Sequence, residues 1–185
     1  MTADLAGGRP GTTTPITARA ATTVAPDDPR LDAWRSLIHA HARLTRTLDE
    51  ELQASHRLSL AEYDALLQLV NAPRRRLRMS VLADRVLLSR SGITRLVDRL
   101  VAAGMVERSA CSTDARGAEA ALTAHGLDRL RAASRTHLDG VGRLFLDVVE
   151  PADRAAVQRA MDRVLANLGS PTATEAECTP GTGRA

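Results

Sequence analysis

Residues 81–96, VLADRVLLSRSGITRL, decide the fold of this chain. Ser80, just before the stretch, can cap a short helix through Val86, and Ser89 can cap a second one running to about Ala103. Gly104 then supplies a C-terminal stop. The small Ala83 allows the two helices to cross closely, Val86 and Leu88 flank the turn, and Ile93 and Leu96 line the inner face of the second helix. This is the pattern of a helix-turn-helix, with Leu87 at the turn position where glycine is common.

Burying Ile93, Leu96, Val97, Leu100 and Val101 leaves Arg90, Ser91, Thr94, Arg95, Asp98 and Arg99 facing outward. Donor-rich side chains therefore occupy the N-terminal half, the part of a recognition helix that enters the major groove of DNA. Arg90 and Arg95 are the candidates for base contact, because a guanidinium can bond guanine O6 and N7 together. Ser91 and Thr94 can reach a phosphate or a thymine methyl, and Arg99, further along, a phosphate.

Downstream, MVERSA, CSTDARG and AEAAL read as two short strands around a polar turn, a small β-hairpin. Arg116 would stand at its tip beside Gly117, placed to enter a narrow minor groove. Asp114 is better suited to orient an arginine than to face DNA. The unit expected to bind double-stranded DNA is residues 77–122.

The flanks read as helices. From Leu31 the apolar positions Leu31, Trp34, Leu37, Ile38, Leu44, Leu48 and Leu52 recur at helical spacing to about Ser55, with His41 on the stripe. S-L-A-E at Ser59 is a capping box through Glu62, and Tyr63, Leu66, Leu67 and Val70 form the buried face of a helix that Pro73 ends. Thr123 caps a long helix with Leu127, Leu130, Leu138, Val141, Phe145 and Val148 on a stripe that wants a partner. Pro151 opens a last helix with Val157, Met161, Val164, Leu165 and Leu168 on one face. The predicted order is α-α-α-α-β-β-α-α, a mainly α fold in which residues 30–168 make one domain.

Composition agrees with this. Phe, Tyr and Trp number one each among 185 residues, so the core must be aliphatic, which suits packed helices better than a β-sandwich. All 25 basic residues are arginine. Residues 74–116 hold ten of them against four acids, a local +6 in a chain of net charge +3, the electrostatic footprint of a polyanion partner. Residues 1–29 and 169–185 are poor in large apolar side chains and are expected to be disordered tails. No apolar run spans a bilayer and the first 29 residues lack the features of a signal peptide, so a soluble, cytoplasmic protein without membrane contact is expected.

The order of elements, the helix LSRSGITRLVDRL, the turn TDARG and the following LTAHG together resemble the MarR family of bacterial regulators over about residues 31–168. Asp114, Arg116 and Gly117 carry the family's D-x-R-G wing motif. The resemblance implies a winged helix-turn-helix and a homodimer held by the first and last helices. It also implies a pseudo-palindromic operator and, usually, repression relieved by a small-molecule effector. Some members respond to urate through a Trp and an Asp that match Trp34 and Asp64, although Asn71 stands where their pattern has an arginine. An effector pocket is expected between the dimerisation helices and the winged domain, near Trp34, His41, Asp64 and Leu66.

No catalytic residue, cofactor or metal site is expected. The chain lacks nucleophile, phosphate-loop and dinucleotide motifs and any C-x-x-C. Cys111 falls in the wing and Cys178 in the tail. His39 and His41 stand about 200° apart around a helix and cannot share a metal. The competing reading is a dimeric winged-helix module that binds protein instead of DNA.

Overall fold

The computed structural model describes residues 23–110 and 118–169. It divides into two compact units, Met1–Ile38 and His39–Ala185. In the first unit, Arg35 reaches both Asp32, at 2.9 Å, and the Pro26 carbonyl, at 2.6 Å, and so ties the entering chain to the first turn of helix α1 (Leu31–His56). Here α1 presents Trp34, Leu37 and Ile38 to solvent, with Trp34 59% exposed.

The second unit begins at His39 within α1, where the apolar stripe reaches Leu48 and Leu52 and becomes buried. Helix α2 (Leu60–Val70) starts on the predicted capping box. Glu62 N–H donates to Ser59 Oγ at 3.2 Å, and Ser59 N–H donates to Glu62 Oε2 at 3.0 Å, so two otherwise orphaned donors are satisfied. Its buried residues are Tyr63, Ala65, Leu66 and Leu69, whereas Leu67 and Val70 are half-buried. The predicted stripe assumed one covered face. Instead α2 touches β1, α3, α4, β3 and α5 and is covered on several sides.

After a 3-10 turn, Pro73–Arg75, the chain forms a strand absent from the predicted order, β1 (Arg76–Arg78). Helix α3 (Met79–Arg85) follows directly, so Ser80 lies inside the helix and is not its cap; Arg78 occupies the cap position without a side-chain bond. The reason is β1 itself, because a chain leaving a strand at Arg78 already has the extended geometry that a cap residue needs. Helix α4 (Arg90–Ala102) is capped as expected, Gly92 N–H donating to Ser89 Oγ at 3.1 Å.

Strands β2 (Val106–Ala110) and β3 (Ala118–Leu122) form the hairpin, and β1 adds to β3, giving an antiparallel sheet of order β1-β3-β2. Leu77 pairs with Ala120, and both are fully buried against the helices. Helix α5 (Ala124–Val141) runs into a π-helical turn, Gly142–Leu146, before α6 (Pro151–Leu168). The core joins Leu52, Leu66, Leu69, Leu77, Leu82, Ile93, Leu96, Leu100, Val106 and Leu130, all at most 3% exposed. At about 1.5–3 kcal/mol for each large aliphatic side chain, this burial is what holds the helix-turn-helix against α2 and the sheet.

Of the two predicted tails, only residues 23–29 and Gly169 are described. Cys111, Asp114, Arg116 and Gly117, together with Cys178, lie outside the described residues.

A candidate nucleic-acid interface on helix α4

The turn from α3 to α4 is closed by Val86 N–H on the Leu82 carbonyl and Leu88 N–H on the Ala83 carbonyl. Ala83 is 2% exposed, as the close crossing of α3 and α4 requires. Leu87, at the turn, takes φ +56° and is 89% exposed, a left-handed conformation that a leucine adopts at a cost of roughly 1 kcal/mol.

The inner face of α4 is built from Ile93, Leu96, Val97 and Leu100, each at most 2% exposed. Val101 is the exception to the predicted buried set: it is 39% exposed, at the margin of the helix, beside a shallow groove shared with Arg76 and Arg108. Arg90, Ser91 and Arg95 are exposed and Thr94 half-buried, so the N-terminal half of α4 presents them as the sequence implied.

The guanidinium groups differ in what holds them. Those of Arg90 and Arg95 form no ion pair among the described residues. Arg99, in contrast, donates through Nε to Glu62 Oε1 at 2.7 Å and through Nη1 to the Arg95 carbonyl at 3.4 Å. It therefore pins α4 to the first turn of α2, which a reading of Arg99 purely as a phosphate contact did not foresee. Asp98 makes the second tie, accepting from Arg108 of β2 at 3.0 Å. Ser91 Oγ lies 3.2 Å from Ser89 Oγ, and the Thr94 hydroxyl donates back to the Arg90 carbonyl at 2.9 Å. The Thr94 proton is thus engaged within the helix, leaving its oxygen lone pairs and methyl group for a partner.

Glu62 is the hinge of this arrangement. Burial pushes its carboxyl up, but the Ser59 backbone N–H, the Arg99 guanidinium and the Ser59 hydroxyl together outweigh that and hold it below the usual carboxylate range. A lowered folded value means that the stability contributed by Glu62 is present above the ordinary glutamate value, about 4.3, and is lost as the pH falls below it. Glu62→Gln is accordingly expected to lower the melting temperature at neutral pH, and the gap from the parent should close on acidification. A gap independent of pH, measured by circular dichroism across that range, would show that the charge contributes nothing.

Behind the turn, a cleft of about 680 Å³ is lined from α1, α2, α5 and the segment at Val86 and Leu87. His41 and Asp64 line it. Leu66 does not: it is wholly buried in the core, and its neighbour Leu67 faces the cleft instead. Trp34 belongs to the first compact unit. His137 and Tyr63 were not among the expected residues. Their rings stand 4.5 Å apart and both line the cleft. Burial lowers the His137 pKa, and the Asp64 charge opposes that shift.

A helix-turn-helix with an exposed, arginine-bearing second helix, backed by a three-stranded antiparallel sheet, defines a winged helix-turn-helix protein. A family model described as "MarR family" matches residues 57–117. The structure of Sco3205 from Streptomyces coelicolor, a MarR family transcriptional regulator solved in complex with DNA, is 32% identical. The match covers 84% of this chain and 96% of that one, with a TM-score of 0.72. AbsC, a MarR family transcriptional regulator from the same organism, is 31% identical over 80% of this chain and 98% of its own, with a TM-score of 0.71. A MarR family regulator from Silicibacter pomeroyi is 28% identical over 75% and 94%, with a TM-score of 0.63. No curated protein matched the chain. The chain belongs to the MarR family of transcriptional regulators.

Proposed function

We propose that the protein is a sequence-specific DNA-binding regulator that acts as a homodimer on a pseudo-palindromic operator, as a repressor released by a small molecule. The observation that carries the DNA reading is the pair of exposed guanidinium groups, Arg90 and Arg95, on the N-terminal half of α4 without a carboxylate partner among the described residues. In this reading they contact bases, Ser91 and Thr94 assist at phosphates or thymine methyls, and Arg99 holds the helix in place while its exposed edge faces the backbone. Arg116, supported by Asp114 and Gly117, is assigned to the minor groove. That the related Sco3205 was solved with DNA favours the same partner here.

The dimer reading draws on α6, which buries none of its residues and leaves Val157, Val164, Leu165 and Leu168 41–74% exposed. Leu138 of α5 is 63% exposed. Helical apolar stripes of this kind are stable in water when a second copy covers them. A DNA partner places the protein in the cytoplasm, and among the described residues no helix is long and apolar enough to cross a membrane.

The test is electrophoretic mobility of the full chain with the DNA flanking its own gene. Retardation that survives competitor DNA at moderate salt is expected, with half-sites centred about 10 base pairs apart or a multiple of that spacing. An intact dimer that gives no specific retardation would refute the reading.

A further inference from the structure

The cleft behind the helix-turn-helix combines four features that its surroundings leave uncompensated. Its walls are largely apolar, from Leu60, Ala61, Leu67 and Val86, with the Tyr63 ring among them, and its volume of about 680 Å³ suits a small organic molecule. Leu87 stands on its edge, 89% exposed and at φ +56°, an apolar side chain held in an unfavourable conformation with almost nothing packed on it. His137 Nδ1 is cut off from solvent and has no hydrogen-bond partner among the described residues. Two half-buried carboxylates, Asp49 and Asp64, face the cleft without a cationic partner among the described residues.

Among the described residues, only neutral donors satisfy the two carboxylates. Asp49 accepts the Leu60 N–H at 2.7 Å, and Asp64 accepts from Gln68 at 3.1 Å. The one arginine in the lining, Arg46, is 70% exposed and leans toward Glu50, 3.9 Å away. Among its carboxylates and guanidinium, the lining therefore carries one positive charge against two negative ones. A ligand that brought a further negative charge into such partly desolvated surroundings would face like charges with little to screen them.

We propose that this cleft binds a lipophilic amine, with Asp64 as counterion to its protonated nitrogen and Leu87 covering its apolar body. The proposal rests on the effector reading above and names the chemical class of the effector. A protonated nitrogen brings N–H donors for the Asp64 carboxylate. An apolar body removes Leu87 and Leu67 from water. Because Val86 and Leu87 form the connection between α3 and α4, occupancy is felt directly at the turn that sets the angle of α4.

Titration calorimetry of the full chain with phenylbutylamine, phenylbutanol and phenylbutyrate tests this. The amine is expected to bind about tenfold more tightly than the other two. Asp64→Asn should abolish its advantage over the alcohol. Leu87→Gly should weaken the amine severalfold while raising the melting temperature, since glycine accepts that φ without strain. Binding of none of the three probes, binding of the carboxylate as tightly as the amine, or an amine preference that survives in a folded Asp64→Asn variant would overturn the assignment. The comparison on the parent protein decides even if that variant fails to fold. Operator binding measured in parallel separates the two readings. An amine that binds the cleft but leaves operator affinity unchanged upholds the ligand class and removes the effector role. Release of DNA by phenylbutyrate instead overturns the ligand class and keeps the effector role.

Discussion

Gly126→Ala is expected to destabilise the protein by about 3 kcal/mol, the largest effect of any single methyl group added to α5. A Cβ at Gly126 would lie 2.1 Å from the Met105 carbonyl oxygen and 2.9 Å from both the Met105 carbonyl carbon and Leu122 Cδ1. Two of these atoms are backbone, and that backbone cannot retreat. Thr123 N–H donates to the same Met105 carbonyl at 3.1 Å, and the Thr123 hydroxyl, 3.0 Å from it and 2.8 Å from the Gly104 carbonyl, also accepts Gly126 N–H at 2.9 Å. The cap of α5 is thus the clamp that fastens the helix to the junction of α4 and β2, so any shift that makes room for a methyl group breaks the cap. Gly140→Ala provides the control. Its Cβ would meet Leu48 Cδ2 at 2.7 Å and Glu51 Oε2 at 2.9 Å, the far ends of flexible side chains that can rotate away. Urea denaturation of both variants should show a large loss for Gly126→Ala and a small one for Gly140→Ala. Equal losses would mean that the clamp yields.

Arg95→Ala should weaken operator binding by roughly 1–3 kcal/mol per half-site and relax the preference at one base pair. Arg95 is exposed on α4, and its side chain forms no ion pair among the described residues, unlike Arg99, which is tied to Glu62. Removing it should therefore leave the melting temperature close to that of the parent, and the loss should appear in DNA binding alone. Arg99→Ala should differ by lowering both, because the Glu62 carboxylate is left half-buried without its cation. Binding selected from random DNA distinguishes a base contact from a phosphate contact at Arg95. An equal loss on all sequences, with an unchanged base preference, would reassign it to the backbone.

The helices and the donor-rich face of α4 were legible because both rest on local rules. The Ser59–Glu62 capping box, the Ser89 and Thr123 caps, and the spacing of Ile93, Leu96 and Leu100 each operate within a few residues and act as the sequence suggests. Strand β1 was not legible. Three residues, RLR, have too little periodicity to announce a strand, and they form one only because β3 lies alongside. Gly126 left a faint trace: a glycine in the first turn of a helix is a poor helix former, which hints at close backbone approach.

Sequence by itself determined which residues form the helix-turn-helix, which face of α4 is polar and which family the chain resembles, since helical periodicity, capping and motif spacing are short-range. Tertiary structure alone decided what each polar side chain is free to do. Arg90, Arg95 and Arg99 share one helix and one chemistry, yet among the described residues only Arg99 has a carboxylate within reach, because Glu62 is 37 positions away in the chain and 2.7 Å away in space. The same holds for the cleft, where His137 and Tyr63 meet across 74 residues and no local pattern could bring their rings together.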